Sequence, residues 1–277
     1  RGCLDSLMRQ DYNLGDYEII VSDGNSSDRT QAIVKEYTHQ FSNVKLVIES
    51  KRGTAAGRNA GIKTAECDYV AFIDADCEAP PNWLSGLAEN FKRIKSESDK
   101  VAAVGGRNIS PKDTDNFIRA IEIVLDSYIG SFSSIQGRQL TSSAFVSSLS
   151  TANALYDKRK LIEVGCFDES LMSEAEDADI NYRLFSRGHI FLFVPDSFVW
   201  HKMRATPLSW LKNMFRYGKG RARLLKRYPG MWNISFLLPI LFILAMASVI
   251  LSAFLKIFYL PLLYFPFILL FSLYQCK

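Results

Sequence analysis

Short apolar runs alternate along the chain with longer stretches whose apolar residues recur three or four apart, a pattern that predicts strand and helix in turn. Arg1 to Leu7 reads as the middle of a helix with Leu4 and Leu7 on one face. Tyr17 to Ser22 predicts a strand closing at Asp23, and Gly24 to Ser27 a turn. Asp28 to about Gln40 then predicts a helix capped by Ser26 or Ser27, with Ile33, Tyr37 and Phe41 at helical spacing. Val44 to Ile48 is the next strand. Residues 51–61, rich in small side chains, lead through a short helix into Tyr69 to Ile73, mostly apolar residues that predict a strand buried on both faces. A helix over 82–100, a strand over Val101 to Gly106, a helix over Phe117 to Tyr128 and a last strand over Ile190 to Val194 follow, with 107–150 less regular and partly Ser-rich. The fold class expected is α/β, with βαβ units and a largely parallel sheet.

The apolar pattern changes character near the end. Ile234 to Leu255 is a 22-residue run without a charge, enough at about 1.5 Å per residue to cross roughly 30 Å of hydrocarbon. Lys256 interrupts it, and Ile257 to Tyr274 is a second run of near-spanning length. Two transmembrane helices over 231–277 are therefore expected, with Tyr228, Trp232 and Tyr274 at the interfaces. Charge sharpens this division. Eleven of the 33 basic residues and none of the 29 acidic ones lie in 197–277, giving that segment +11 and leaving −7 for residues 1–196. Pro207 to Tyr228 predicts a basic helix laced with Trp210, Phe215 and Tyr217, an interfacial segment over 202–230. By the positive-inside rule the body is cytoplasmic, and the protein an integral membrane protein. Five scattered cysteines fit reduced thiols better than a disulfide framework.

Candidate chemistry concentrates at the ends of these elements. Asp74 and Asp76 follow the apolar strand at the end where open α/β sheets bind ligands, and two like charges so close call for a hard cation such as Mg²⁺ or Mn²⁺. Asp23 closes another strand and suits a ribose hydroxyl or a base N–H. No glycine-rich phosphate loop is present, so a diphosphate would rest on the metal and on Arg58 or Arg52. A second acidic cluster, Glu176, Asp177 and Asp179, opens a helix. Ser173 and Glu176 have the spacing of a capping box, and Asp179 can pair with Arg183. Asp177 has no such local partner and shares a face with Ile180 and Leu184. His201 is one of three histidines.

Three segments, Tyr-Glu-Ile-Ile-Val-Ser-Asp-Gly-Asn-Ser-Ser-Asp-Arg-Thr (17–30), Ala-Gly-Arg-Asn-Ala-Gly-Ile (56–62) and Tyr-Val-Ala-Phe-Ile-Asp-Ala-Asp (69–76), together resemble the nucleotide-binding half of a family 2 glycosyltransferase of GT-A fold. The resemblance implies a GT-A catalytic domain over 1–201, with Asp23 on the nucleobase, Arg58 near the nucleotide, Asp74 on the ribose or metal and Asp76 as metal ligand. The family's opening strand and its Pro-x-Tyr/Phe-Asn-Glu turn have no counterpart here, which points to a missing upstream segment. Residues 173–184 match the Glu-Asp-x-Asp-Leu-x-x-Arg-Leu motif, which implies Asp177 as general base, with Glu176 and Asp179 as alternatives. A Val-x-His in the family matches Val199 to His201 and implies a metal or diphosphate role for His201. Arg216-Tyr217-Gly218-x-Gly220-Arg221 resembles a stretch of membrane-bound, exopolysaccharide or succinoglycan-type members, which puts Arg216 and Arg221, with Asp179, on the acceptor or diphosphate side. The processive Gln-x-x-Arg-Trp motif is not present, so no polymerase is expected.

The expected function is inverting, metal-dependent transfer of a sugar from a UDP- or GDP-sugar to a hydroxyl of a lipid-linked or saccharide acceptor, with membrane lipids as a further partner and no nucleic acid. A polyprenyl-phosphate glycosyl synthase and a non-catalytic nucleotide-sugar-binding membrane protein are the alternatives.

Overall fold

The computed structural model describes residues 1–111, 113–127, 140–202 and 206–255. Helix α1 (Gly2–Leu7) precedes β1 (Ile19–Asp23), α2 (Thr30–Gln40), β2 (Val44–Ile48), α3 (Thr54–Thr64) and β3 (Tyr69–Ile73). Then come β4 (Cys77–Glu78), α4 (Trp83–Glu97), β5 (Val101–Ile109), α5 (Asn116–Asp126), β6 (Ala144–Val146) and β7 (Asn153–Asp157). After α6 (Lys158–Glu163) the chain forms α7 (Glu176–Ser186), β8 (Ile190–His201), α8 (Pro207–Arg227) and α9 (Leu238–Leu255).

The parallel expectation holds for only part of this. β1 and β2 pair in parallel as a two-stranded sheet, in a register from Ile19 opposite Val44 to Asp23 opposite Ile48. The other strands form a six-stranded mixed sheet in the order β3-β7-β5-β8-β4, with β6 also on β8. There only β5 and β8 run parallel; β3 with β7, β5 with β7, β4 with β8 and β6 with β8 are antiparallel. The expected mostly parallel sheet is thus corrected to a mixed one. β4 and β6 are only two and three residues long, too short for an alternating pattern to announce them, and the pairing direction of β7 rests on contacts far apart along the chain. The strand expected to be buried on both faces, β3, is an edge with β7 as its one partner among the described residues, and all five of its residues are half-buried.

Apolar side chains pack on both faces of the large sheet. On one face Val101, Val104, Leu192, Val194 and Val199 meet Trp83, Leu87, Phe91 and Ile94 of α4, with the β1–β2 pair completing the cluster. On the other, Ala102, Ala103, Phe191 and Phe193 meet Leu161, Phe167, Ile180 and Leu184. Each such large side chain buried contributes about 1.5–3 kcal/mol. At the crossing of β5, β7 and β8 the buried Asn153 accepts from Trp83 Nε1 at 2.7 Å and donates to the carbonyls of Arg107 (2.9 Å) and Ser197 (3.1 Å). Gly106 is required there, because a Cβ would fall 1.5 Å from the Ser197 carbonyl oxygen.

The basic segment forms one long helix, α8, as expected, with the Thr206 hydroxyl accepting from Ser209 N at 3.2 Å and Pro207 in the first turn. The first expected span begins as a 3-10 turn over Ile234–Leu237 and continues as α9, 18 residues long. Among the described residues no helix is long and apolar enough to cross a membrane. The second expected span, 257–274, and Arg204 lie outside the described residues.

Candidate active site

Two acidic groups are held on opposite sides of one arginine. Arg58 stands on α3, which packs on β1 closely enough that a Cβ at Gly57 would meet Ser22 Oγ at 3.6 Å. Its guanidinium donates to Asp74 Oδ1 at 3.1 Å through Nη2 and to Glu176 Oε1 at 2.7 Å through Nη1, over the Phe167 ring at 5.6 Å. Burial alone would lower its pKa; the charges of Asp74, Glu176 and Asp177 outweigh that and raise it. Thr54 Oγ1 adds a second bond to the same Glu176 oxygen, 2.6 Å. Arg58 therefore stays charged and ties the end of β3 to the start of α7.

On the strand side, Asp76 follows β3 by three residues, and β4 brings it to the end of β8. Cys77 pairs with His201 and Glu78 with Trp200, and Lys202 N donates to the Asp76 carbonyl at 3.1 Å. His201 Nε2 thereby lies 3.6 Å from Asp76 Oδ1. The nearby Asp76 carboxylate, with the charge of Asp74, raises the imidazole pKa against the opposing effect of burial. Ligand atoms of Asp76, Cys77 and His201 lie within 4.8 Å of one another. Burial pushes the Cys77 thiol pKa far up, so it is a neutral neighbour at ordinary pH. A carboxylate and an imidazole beside a half-exposed opening suit a divalent cation of the Mn²⁺ type, with substrate oxygens and water filling the remaining positions.

Asp23 is buried at the end of β1. Burial pushes its pKa up, but hydrogen bonds from Ser26 and Gln31 outweigh this and lower it; Ser26 N and Gln31 Nε2 each donate to Oδ2 at 2.9 Å. The expected capping of α2 by Ser26 or Ser27 is not formed. The helix starts only at Thr30, beyond reach of either serine; the residue before it is Arg29, with no side-chain cap, and Asp28 Oδ1 accepts from Thr30 N at 2.9 Å.

On the helix side the three acids separate. Glu176 is spent on Arg58 and Thr54. Its expected capping box with Ser173 is absent: α7 is preceded by Ala175 in the left-handed region at φ 66°, and Ser173 Oγ instead accepts from Thr54 N at 3.0 Å. Asp179 is fully buried, 2.6 Å from Arg183 Nη2 and accepting from Tyr228 O–H at 3.0 Å. That arrangement makes Asp179 a tie between α7 and the end of α8. Asp177 accepts from Ala178 N at 2.8 Å, and its charge is felt by Arg58, Tyr156 and Arg221. Arg221 stands over the Phe236 ring at 5.6 Å, and burial lowers its pKa against the pull of Asp177. Arg216 bonds Asn213 on its own helix at 2.8 Å and keeps a buried Nε without a partner among the described residues.

The structure thus brings Asp74, Arg58 and Glu176 into direct contact, with Asp177 and Arg221 alongside. Thr54, which has no role in the sequence reading, holds Glu176, and Glu174, just before α7, pairs with Lys219 and Arg223 of α8. A lone threonine opening a helix and one acid among several gave no periodic signal to find them.

The sequence profile of glycosyl transferase family 2 matches residues 1–165. The chain belongs to this family. It is a glycosyltransferase. Over 259 residues it is 27% identical to the dolichyl N-acetyl-α-D-glucosaminyl phosphate 3-β-D-2,3-diacetamido-2,3-dideoxy-β-D-glucuronosyltransferase of Methanococcus voltae, covering 93% of this chain and 78% of that one. Among solved structures, S. aureus TarS 1–349 in complex with UDP is similar at TM-score 0.54 and 19% identity, over 79% of this chain and 60% of that one. GalNAc-T7 with UDP, GalNAc and Mn²⁺ is similar at TM-score 0.53 and 18% identity, over 73% of this chain and 40% of that one. These likenesses show that the family 2 chain has a GT-A-like α/β fold with a mixed sheet, and it spans about half the length of those two structures.

Proposed function

We propose that the protein is an inverting, metal-dependent glycosyltransferase that moves a sugar from a UDP- or GDP-sugar to a hydroxyl of a lipid-linked or saccharide acceptor. The observation that carries this reading is Arg58, bonded at once to the strand-end Asp74 and to Glu176, next in sequence to Asp177. Arg58 thus links the strand end that carries the cation candidates to the helix that carries the candidate base. UDP and UDP-GlcNAc, bound in the TarS structures, are the first donors to try.

In this reading Asp23 accepts from the nucleobase, Arg58 and Asp74 orient the nucleotide, and Asp76 with His201 holds Mn²⁺ or Mg²⁺. The cation, when bound, neutralises charge on the departing diphosphate. Asp177 takes the proton of the acceptor hydroxyl as that oxygen bonds to the anomeric carbon and the bond from that carbon to the diphosphate breaks. One base without a second carboxylate acting as nucleophile gives a single displacement, and so inversion. Arg221 lies on the diphosphate or acceptor side, with Arg216 one turn earlier on the same helix. Residues 1–201 form the catalytic domain, 202–230 lie at the cytoplasmic membrane face, and 231–277 anchor the protein as two spans. The support for the anchor is the uncharged run Ile234 to Leu255.

Full-length protein in lipid nanodiscs, assayed for nucleotide release from UDP-GlcNAc and a panel of UDP- and GDP-sugars with and without Mn²⁺, tests this. Metal-dependent release from at least one donor, lost in Asp177→Asn, is expected. Release that survives Asp177→Asn would favour a phosphate acceptor, which needs no base. No release from any donor would favour a binding protein.

A further inference from the structure

Helix α8 has two unlike faces. One is fastened to the residues that lead into α7. Lys219 Nζ and Arg223 Nη1, one turn apart, reach the two carboxylate oxygens of Glu174 at 3.0 and 2.6 Å. Between them Gly220 lies so close that a Cβ would fall 2.9 Å from the Glu174 carbonyl and 3.0 Å from Ala175 Cβ. Leu224 is fully buried below, and Arg227 pairs with Asp168. The fastened loop is a strained one: Met172 and Ala175, neither of them glycine, sit at φ 57° and 66°. Such backbone persists only where its surroundings hold it.

A neighbouring face is apolar and exposed. Leu208, Leu211 and Phe215 recur at helical spacing and are 62, 65 and 77% exposed. Lys212 and Lys226 flank this stripe, and no acidic residue occurs from 197 onward. The apolar surface continues through exposed Trp232 and Ile234 into α9, where Ile240, Leu241, Ile243 and Leu244 are also exposed. An apolar stripe with cations beside it is complementary to an anionic bilayer surface.

We propose that α8 is a membrane-seated lever: its docking on an anionic bilayer holds the strained 172–175 loop, and hence the Asp177 helix, through the carboxylate of Glu174. Glu174 is a positioning residue, with Lys219 and Arg223 as its partners. The inference rests on the reading of Asp177 as base only for its catalytic consequence; the mechanical link stands on the contacts alone. Seated on lipid, α8 loses freedom to tilt, and the two-pronged grip on Glu174 passes that restraint to the first turn of α7.

Hydrogen exchange by mass spectrometry tests the link without any turnover, on the full chain in nanodiscs of phosphatidylcholine alone and of phosphatidylcholine mixed with phosphatidylglycerol. The anionic discs are expected to slow exchange about tenfold both in 207–227 and in 176–182. Glu174→Gln, and independently the surface change Arg223→Gln, should keep the first effect and lose the second. In parallel, phosphatidylglycerol should raise kcat for UDP-GlcNAc in the wild type with KM unchanged, and leave kcat of Glu174→Gln flat, whereas Glu174→Asp recovers part of the response. The proposal is overturned if 176–182 does not respond to lipid in the wild type, or responds equally in both variants. Slowing that follows protein concentration instead of phosphatidylglycerol would also overturn it, in favour of a second copy covering the stripe. Coupled exchange in a protein inactive on every donor would leave the lever standing and sink the enzymatic reading.

Discussion

The two acidic clusters look alike as strings of letters and differ in what surrounds them. At the end of β3, the side chains of Asp74 and Asp76 are 41 and 59% exposed, and Asp76 faces an imidazole. At the start of α7, those of Glu176 and Asp179 are 9 and 0% exposed and are committed to Arg58, Thr54, Arg183 and Tyr228. The first cluster is open to an incoming cation and its ligands. The second is mostly scaffold, which in the proposed reading aims a single carboxylate, Asp177. Acid density thus marks both places, and only the partners of each carboxylate separate a site for chemistry from its support.

The largest expected effect breaks this comparison at Asp177. Asp177→Asn should lower kcat by about 10² to 10⁴-fold with little change in KM for the donor, whereas Asp179→Asn should act chiefly on thermal stability; equal losses of kcat without a fall in stability would erase the distinction. Next comes the bridge. Arg58→Met leaves Glu176 buried without its cation, and should destabilise the fold by about 3–5 kcal/mol in chemical denaturation. An unchanged midpoint would show that the two clusters are not held together through this residue.

A smaller effect sharpens the strand-end side. His201→Ala should weaken Mn²⁺ binding by roughly 10 to 100-fold by calorimetry. Because Asp76 raises the His201 pKa, the proton must leave before the imidazole can act as ligand. Mn²⁺ affinity should therefore climb as pH rises through that raised pKa in the wild type and follow a flatter course in His201→Ala. The smallest effect concerns the support of the helix side. Burial pushes the Asp168 carboxyl up, but hydrogen bonds from Ser170 and Arg227 and the Arg227 charge hold its pKa down to about 2. Its contribution is fully present above the ordinary carboxylate pKa and is lost as pH falls below it toward the folded value of about 2. Asp168→Asn should cost about 1–2 kcal/mol at neutral pH and progressively less in acid, read from unfolding midpoints.

Much of the framework was legible in the sequence. β2 runs over the residues its pattern gives, β1 and α4 differ by a few terminal residues, and α8 starts at Pro207 as expected. Local periodicity carries those elements. It does not carry pairing direction. β4 and β6 are too short to show alternation, and the antiparallel pairings that they and β7 make depend on contacts far apart along the chain. Strand β8 runs on to His201 past Pro195, where a proline suggested an end, because β5 continues beside it to Ile109. Among site residues, the pairing of Asp179 with Arg183 followed from their spacing on one helix. The partner of Glu176 did not: a capping box is a local expectation, and Arg58, 118 positions away, displaced it.

The pairing of Cys77 with His201 has a consequence for how the protein is made. The cation candidates Asp76 and His201 meet only when the last strand has laid itself along β5 and reached β4. A nascent chain that ends before that strand has the aspartates but no imidazole to complete the cage. In the proposed reading, the pair of Asp76 and His201 that would hold the cation is completed only in molecules whose synthesis and folding have passed the end of β8.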